Sequence, residues 1–231
     1  MFISPRRISI LCQLFMVTLI MLGGMNIQSR HVSAQGQGWV EQAFGTFGAD
    51  GLAGMRAQVW TAQQPNSNTF RASPVGVCTT LPPCGSTAGF VETGYYKGTS
   101  SPRQNILQQY ATWQTKTGRF DKQYDLGDLG NNTWYNFAVL RKAGAANWIV
   151  RRDGAKVYTI TRNPPDFATG SMVACGAEGG AADITLAVQC NSMAFYANGS
   201  WTLFDWTFAQ TTGGYCVDRV GQFTALGWGP C

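Results

Sequence analysis

Histidine is nearly absent from this chain. The single copy, His31, lies in an N-terminal stretch that reads as an export signal: Arg6 and Arg7 give a positive start, residues 8–22 an apolar run, and Val32-Ser33-Ala34 a small-residue exit. Cleavage is expected before Gln35, leaving residues 35–231 as a single secreted domain without histidine. A Ser-His or Cys-His nucleophile pair and a His-ligated zinc are thereby excluded from the mature chain. A retained anchor is disfavoured, because Gln13 interrupts the run and the run is short of the roughly 20 residues a span needs. No segment of the mature chain is long and apolar enough to cross a bilayer as a helix.

Charge is scarce too. Loss of Arg6, Arg7 and Arg30 takes Lys plus Arg from 17 to 14 against 12 acids, a net charge of +2. Without a concentrated basic patch, nucleic acid is not an expected partner. Asp121, Asp125 and Asp128 in "FDKQYDLGDLG" form an acidic cluster, but their spacing lacks the ligand run of a calcium loop. A solvated turn is the expectation there, and no metal or cofactor is predicted.

A helical apolar period with caps is missing as well. Residues 104–116, "QNILQQYATWQTK", come nearest, and their Tyr, Thr and Trp content suits a strand equally. Strands are predicted at 56–62, 90–97, 119–124, 134–141, 148–152, 156–161, 171–176, 184–190, 193–197 and 201–208, with loops at 45–54 and 74–86. Many short strands between glycine-rich turns imply an all-β antiparallel two-sheet sandwich of the jelly-roll kind.

The six cysteines left after leader removal are an even count in an exported chain, which reads as disulfides. Six allow 15 pairings. Local spacing favours Cys78 with Cys84, Cys175 with Cys190 and Cys216 with Cys231. If Cys175 and Cys190 faced each other across a hairpin, its turn would centre on Ala182-Asp183. Glu178 would then lie on the face away from the core, among Ala174, Gly176, Thr185 and Ala187. Asn131-Asn132-Thr133 and Asn198-Gly199-Ser200 match glycosylation acceptors and mark exposed turns.

The clearest hairpin is "NWIVRRDGAKVYTI". Asp153-Gly154 suits a two-residue turn, which sets Val150 opposite Val157 and Ile149 opposite Tyr158. With the strand before it, "NTWYNFAVLRKAGAANWIVRRDGAKV" resembles the hairpin of concanavalin A-like lectin and glucanase domains, including laminin-G-like modules, over residues 133–161. The resemblance implies a jelly roll whose concave face serves sugars, as a binding module or a glycosidase. The Glu-x-Asp-x-x-Glu strand of one glucanase family is absent, as is a lectin-type metal cluster.

Among the three glutamates, Glu41, Glu92 and Glu178, the last two are the candidate catalytic pair. A glycosidase needs two facing carboxyls, one with a raised pKa. Phe90, Glu92, Gly94 and Tyr96 share one strand face, so Glu92 is set among aromatics. The blander reading makes Glu92 a surface residue paired to Lys97 or an arginine, and Glu178 a turn residue. Tyr95, Tyr96, Trp201 and Trp206 are the candidate ligand-stacking aromatics, with Trp228 beside them, and one of the adjacent tyrosines is expected to be exposed. Trp60, Trp134 and Trp148 are assigned to packing. The leading expectation is a glycan-binding or adhesion module at the cell exterior. The alternatives are a glutamate-based hydrolase, glycosidase or peptidase, working through Glu92 and Glu178, and a non-catalytic structural protein.

Overall fold

Successive side chains of a strand point to opposite faces, and this two-residue period builds the molecule. The computed structural model describes residues 40–80, 84, 88–145, 147–180, 187–211 and 215–228. In chain order the strands are β1 Val40–Leu52, β2 Gly54–Trp60, β3 Phe70–Cys78, β4 Phe90–Gly98, β5 Gln108–Gln114, β6 Phe120–Gln123, β7 Trp134–Leu140 and β8 Ile149–Arg152. They continue with β9 Ala155–Thr159, β10 Gly170–Gly180, β11 Ala187–Ala197, β12 Ser200–Leu203, β13 Phe208–Thr211, β14 Cys216–Asp218 and β15 Ala225–Trp228.

Two antiparallel sheets result. One runs β13-β1-β10-β3-β4-β5-β6, the other β14-β15-β11-β2-β7-β8-β9, with β12 paired to β11. Val75, Val91, Tyr95, Trp113, Val173 and Ala177 from the first sheet meet Met55, Val59, Phe137, Val139, Val150 and Met193 from the second in one buried core. The all-β sandwich is therefore as the sequence implied. No helix among the described residues is long and apolar enough to cross a membrane.

Two of the expected disulfides are present, Cys78–Cys84 and Cys175–Cys190. Cys216 is also disulfide-bonded, and Cys231 lies outside the described residues. The second bridge does a different job from the one expected. Cys175 is on β10 and Cys190 on β11, which belong to different sheets. The bridge therefore crosses the core rather than closing a hairpin ladder, and Ala187 is on the other sheet, not beside Glu178. Thr185, with Ala182 and Asp183, lies outside the described residues.

Asp153 and Gly154 both take the positive φ their turn requires, 50° and 80°. Next to the turn Arg152 faces Ala155 and Arg151 faces Lys156. A one-residue bulge then sets Val150 opposite Tyr158 and Ile149 opposite Thr159, correcting the expected register.

Three strands contradict the loop or helix readings. Residues 45–54 lie largely in β1, and 74–78 finish β3. β3 contains Pro74 and Gly76, which argue against a central strand. Yet all nine of its residues are buried, and its ladder to β10 skips Ser73 and Pro74. β5 is a strand because β4 and β6 pair with its two edges and every residue is buried.

Candidate functional site

The site lies on the outer face of the first sheet. Glu92 on β4 pairs with Gly76 of β3, and Glu178 on β10 pairs with Ala72 of the same strand. Ala72 and Gly76 are an even number of residues apart, so both glutamates project to one face, away from the core that Tyr95 and Ala177 enter. The floor between them is made of small residues. A Cβ on Gly76 would meet the Glu92 Cβ at 2.7 Å, so glycine there lets the carboxylate strand lie flat against β3.

Two apolar clusters flank the pair. On one side are Phe70, Ala72, Tyr96, Tyr110 and Tyr124. On the other are Cys78, Ala88 and Met172, with Cys84, Phe90 and Ala174 packed against them. Glu92 and Glu178 both line the cavity beside each cluster, so the carboxyls sit where the two hollows join.

Their environments differ. Glu92 Oε1 accepts hydrogen bonds from Thr112 Oγ1 at 2.7 Å and Tyr110 Oη at 3.3 Å. Burial pushes the Glu92 carboxyl up to about 7, and these two donors hold it from rising further. Glu178 is 7 % exposed and receives no hydrogen bond from the described residues. Burial, and then the negative charge of Glu92, push it well above the usual carboxylate range. Burial and both glutamates also raise Tyr110, which keeps its hydroxyl a donor. Glu92 thus has two donors that favour its ionised form, and Glu178 has none among the described residues.

Of the remaining candidates, Tyr96 lines the smaller hollow beside the pair, and Tyr95, Trp201, Trp206 and Trp228 line neither hollow. Tyr95 points into the core, where Gln64 Nε2 donates to its hydroxyl at 3.3 Å. Tyr96 reaches the outer face but is buried between Phe70 and Tyr124. Neither tyrosine is exposed, because β4 is central in its sheet and each face is covered. Trp201 packs on Tyr196 with Arg56 above its ring, on the other sheet. Trp206 is held by a hydrogen bond to the Thr224 carbonyl and by Arg219 over its ring. Trp228 donates to Asp218. Trp148 is a core residue, whereas Trp134 packs at a tilt against Trp60 at the surface.

Glu92 does not pair with Lys97, whose Nζ donates to the Gln64 carbonyl at 2.6 Å. Glu178 is a strand residue rather than a turn residue. The aspartates of the acidic cluster are spent on arginines: Asp125 and Asp128 on Arg103, Asp121 on Arg162. Among the described residues no group of three or more His, Cys, Asp or Glu side chains could hold a metal ion. Thr112 and Tyr110 were not picked out from sequence. Reading 108–114 as a strand would have placed them on one face with period 2, opposite Trp113.

No family model and no curated protein matches the chain by sequence. Among solved structures, scytalido-glutamic peptidase with a peptide-based transition state analog shares 10% identity with a TM-score of 0.52, covering 82% of this chain and 99% of that one. The same peptidase with a transition state analog inhibitor gives 12% identity, a TM-score of 0.50 and the same coverage. A glycosidic hydrolase gives 13% identity and a TM-score of 0.37 over 66% of this chain and 68% of that one. These likenesses are of fold. The two peptidase structures agree with a β-sandwich and do not single out the concanavalin A-like group.

Proposed function

We propose that this chain is an exported hydrolase that cleaves peptide bonds with Glu92 as general base and Glu178 as general acid. The observation that carries the reading is the asymmetry of the pair: two glutamates on one sheet face, lining the same hollows, one with two hydroxyl donors and one with none among the described residues. The glutamic peptidase named in the structures of similar fold supports peptide as the substrate class. Two disulfides support export, with residues 1–34 as the signal.

In the reaction, the Glu92 carboxylate takes a proton from water as the water oxygen bonds to the carbonyl carbon. Glu178 gives its proton to the carbonyl oxygen. The C–N bond then breaks while Glu92 passes its proton to the leaving nitrogen, and the hydroxyl proton of the intermediate returns to Glu178 as the carbonyl re-forms. Both carboxyls end as they began. Histidine is not needed at any step.

The glycan-binding reading has less support, since Tyr95 and Tyr96 are buried and Trp201 and Trp206 stand apart from the site. The test is Glu92→Gln and Glu178→Gln, assayed on peptide mixtures and on polysaccharides. Each variant is expected to stay folded and lose roughly 100- to 10,000-fold in peptide hydrolysis. Full peptide turnover in either variant, or turnover of polysaccharide alone by the unaltered protein, would refute the proposal.

A further inference from the structure

Resting on that reading, we infer that the hollow walled by Phe44, Phe90 and Met172 is a side-chain subsite, selecting a large apolar residue next to the bond that is cut. Its volume is about 70 Å³. By the same measure a single water needs about 10–15 Å³, so the hollow holds the equivalent of several waters, the scale of a leucine or phenylalanine side chain. The hollow on the other flank, lined by Tyr96, Tyr110 and Tyr124, measures about 20 Å³ and has room for little more than one water. The two sides of the carboxyl pair are therefore unequal, and only one can take a large group.

The chemistry of the walls points the same way. Ala174 and Gly76 form the floor and the Cys78–Cys84 bridge closes one side. Among the described residues, polar side chains lining it are confined to Glu92, Glu178 and Gln42, and no lysine or arginine lines it. A carboxylate side chain entering here would meet the charge of the pair without a compensating cation. A lysine or arginine would lose water against apolar walls. An apolar side chain displaces water at no such cost. Phe90, Ala174 and Gln42 are only half-buried, so the hollow opens to solvent rather than being a sealed packing defect.

The experiment uses the intact protein and a peptide set varied at one position at a time, with products read by mass spectrometry. Cleavage is expected beside Leu, Phe or Met, with kcat/KM for leucine at least tenfold above glycine at that position. Ala174→Leu fills the floor of the hollow and is expected to bring that ratio to about twofold or less, while circular dichroism and thermal unfolding confirm the fold. Cleavage with no apolar preference on either side of the bond, or an unchanged preference in Ala174→Leu, overturns the subsite but leaves the hydrolytic reading intact. If no peptide is cut by the unaltered protein, the hydrolytic reading fails and the subsite falls with it.

Discussion

Thr112 Oγ1 lies 2.7 Å from Glu92 Oε1, and this contact makes the two glutamates unequal. A hydroxyl donor favours the ionised form of its partner, and Glu178 receives no such donor from the described residues.

Replacing Thr112 by valine removes the stronger of the donors to Glu92. The Glu92 pKa is expected to rise from about 7, carrying the acid limb of the hydrolysis profile upward by about one pH unit. Thr112→Ser is expected to restore the profile. A mere packing role for Thr112 would change turnover at all pH values without moving the limb.

Stability should depend on pH in an unusual direction. Glu92 titrates near 7 in the folded chain and near 4.5 by its ordinary value. Below about 4.5 both states hold the proton and the group contributes no difference. Between about 4.5 and 7 the folded state keeps a proton that the unfolded state has released, so stability falls as pH rises and the loss is complete above about 7. The size is on the order of 3 kcal/mol for Glu92, and Glu178, also raised, adds a loss of the same sign. Denaturant unfolding from pH 4 to 8 measures this. Glu92→Gln should flatten much of the slope, and a stability that rises with pH over this range would contradict the assignment.

Gly94 is a point where the floor of the site tolerates no side chain. A Cβ there would overlap the Ser73 carbonyl oxygen on β3. Gly94→Ala is therefore expected to force β3 and β4 apart and cost several kcal/mol in urea unfolding. A loss below about 1 kcal/mol would show that the ladder can give way.

The inter-sheet bridge joins cysteines 15 residues apart in sequence. Replacing both Cys175 and Cys190 by alanine should lower stability by about 3 kcal/mol in the loop-entropy account, with the first sheet still paired through β1 and β3. Calorimetry and amide exchange of β10 against β11 check this. Loss of all strand protection would mean the bridge holds the sandwich together.

Much of the site was legible one strand at a time. The two-residue period alone put Phe90, Glu92, Gly94 and Tyr96 on one face and Glu178 with Ala174 and Gly176 on another, whereas the outward direction of Glu178 was reached through a hairpin register that the structure does not have. The local spacing of Cys78 and Cys84 was enough for their bridge. These are local properties, set by backbone geometry and by short loops, and strand density and glycine-rich turns likewise sufficed for the all-β sandwich.

Which strands lie beside one another was decided only in three dimensions. β3, the strand between the two glutamates, carries Pro74 and Gly76 and reads as a loop. It becomes a strand because β4 and β10 supply partners on its two edges and because neighbouring side chains bury both its faces. Cys175 and Cys190 show the same limit: spacing indicated that they bond, but not that they bond across the core. Strand pairing between distant segments depends on which buried faces fit, and that complementarity is a property of the assembled sheets. The meeting of Glu92 and Glu178 at one junction of two hollows belongs to this second kind of information.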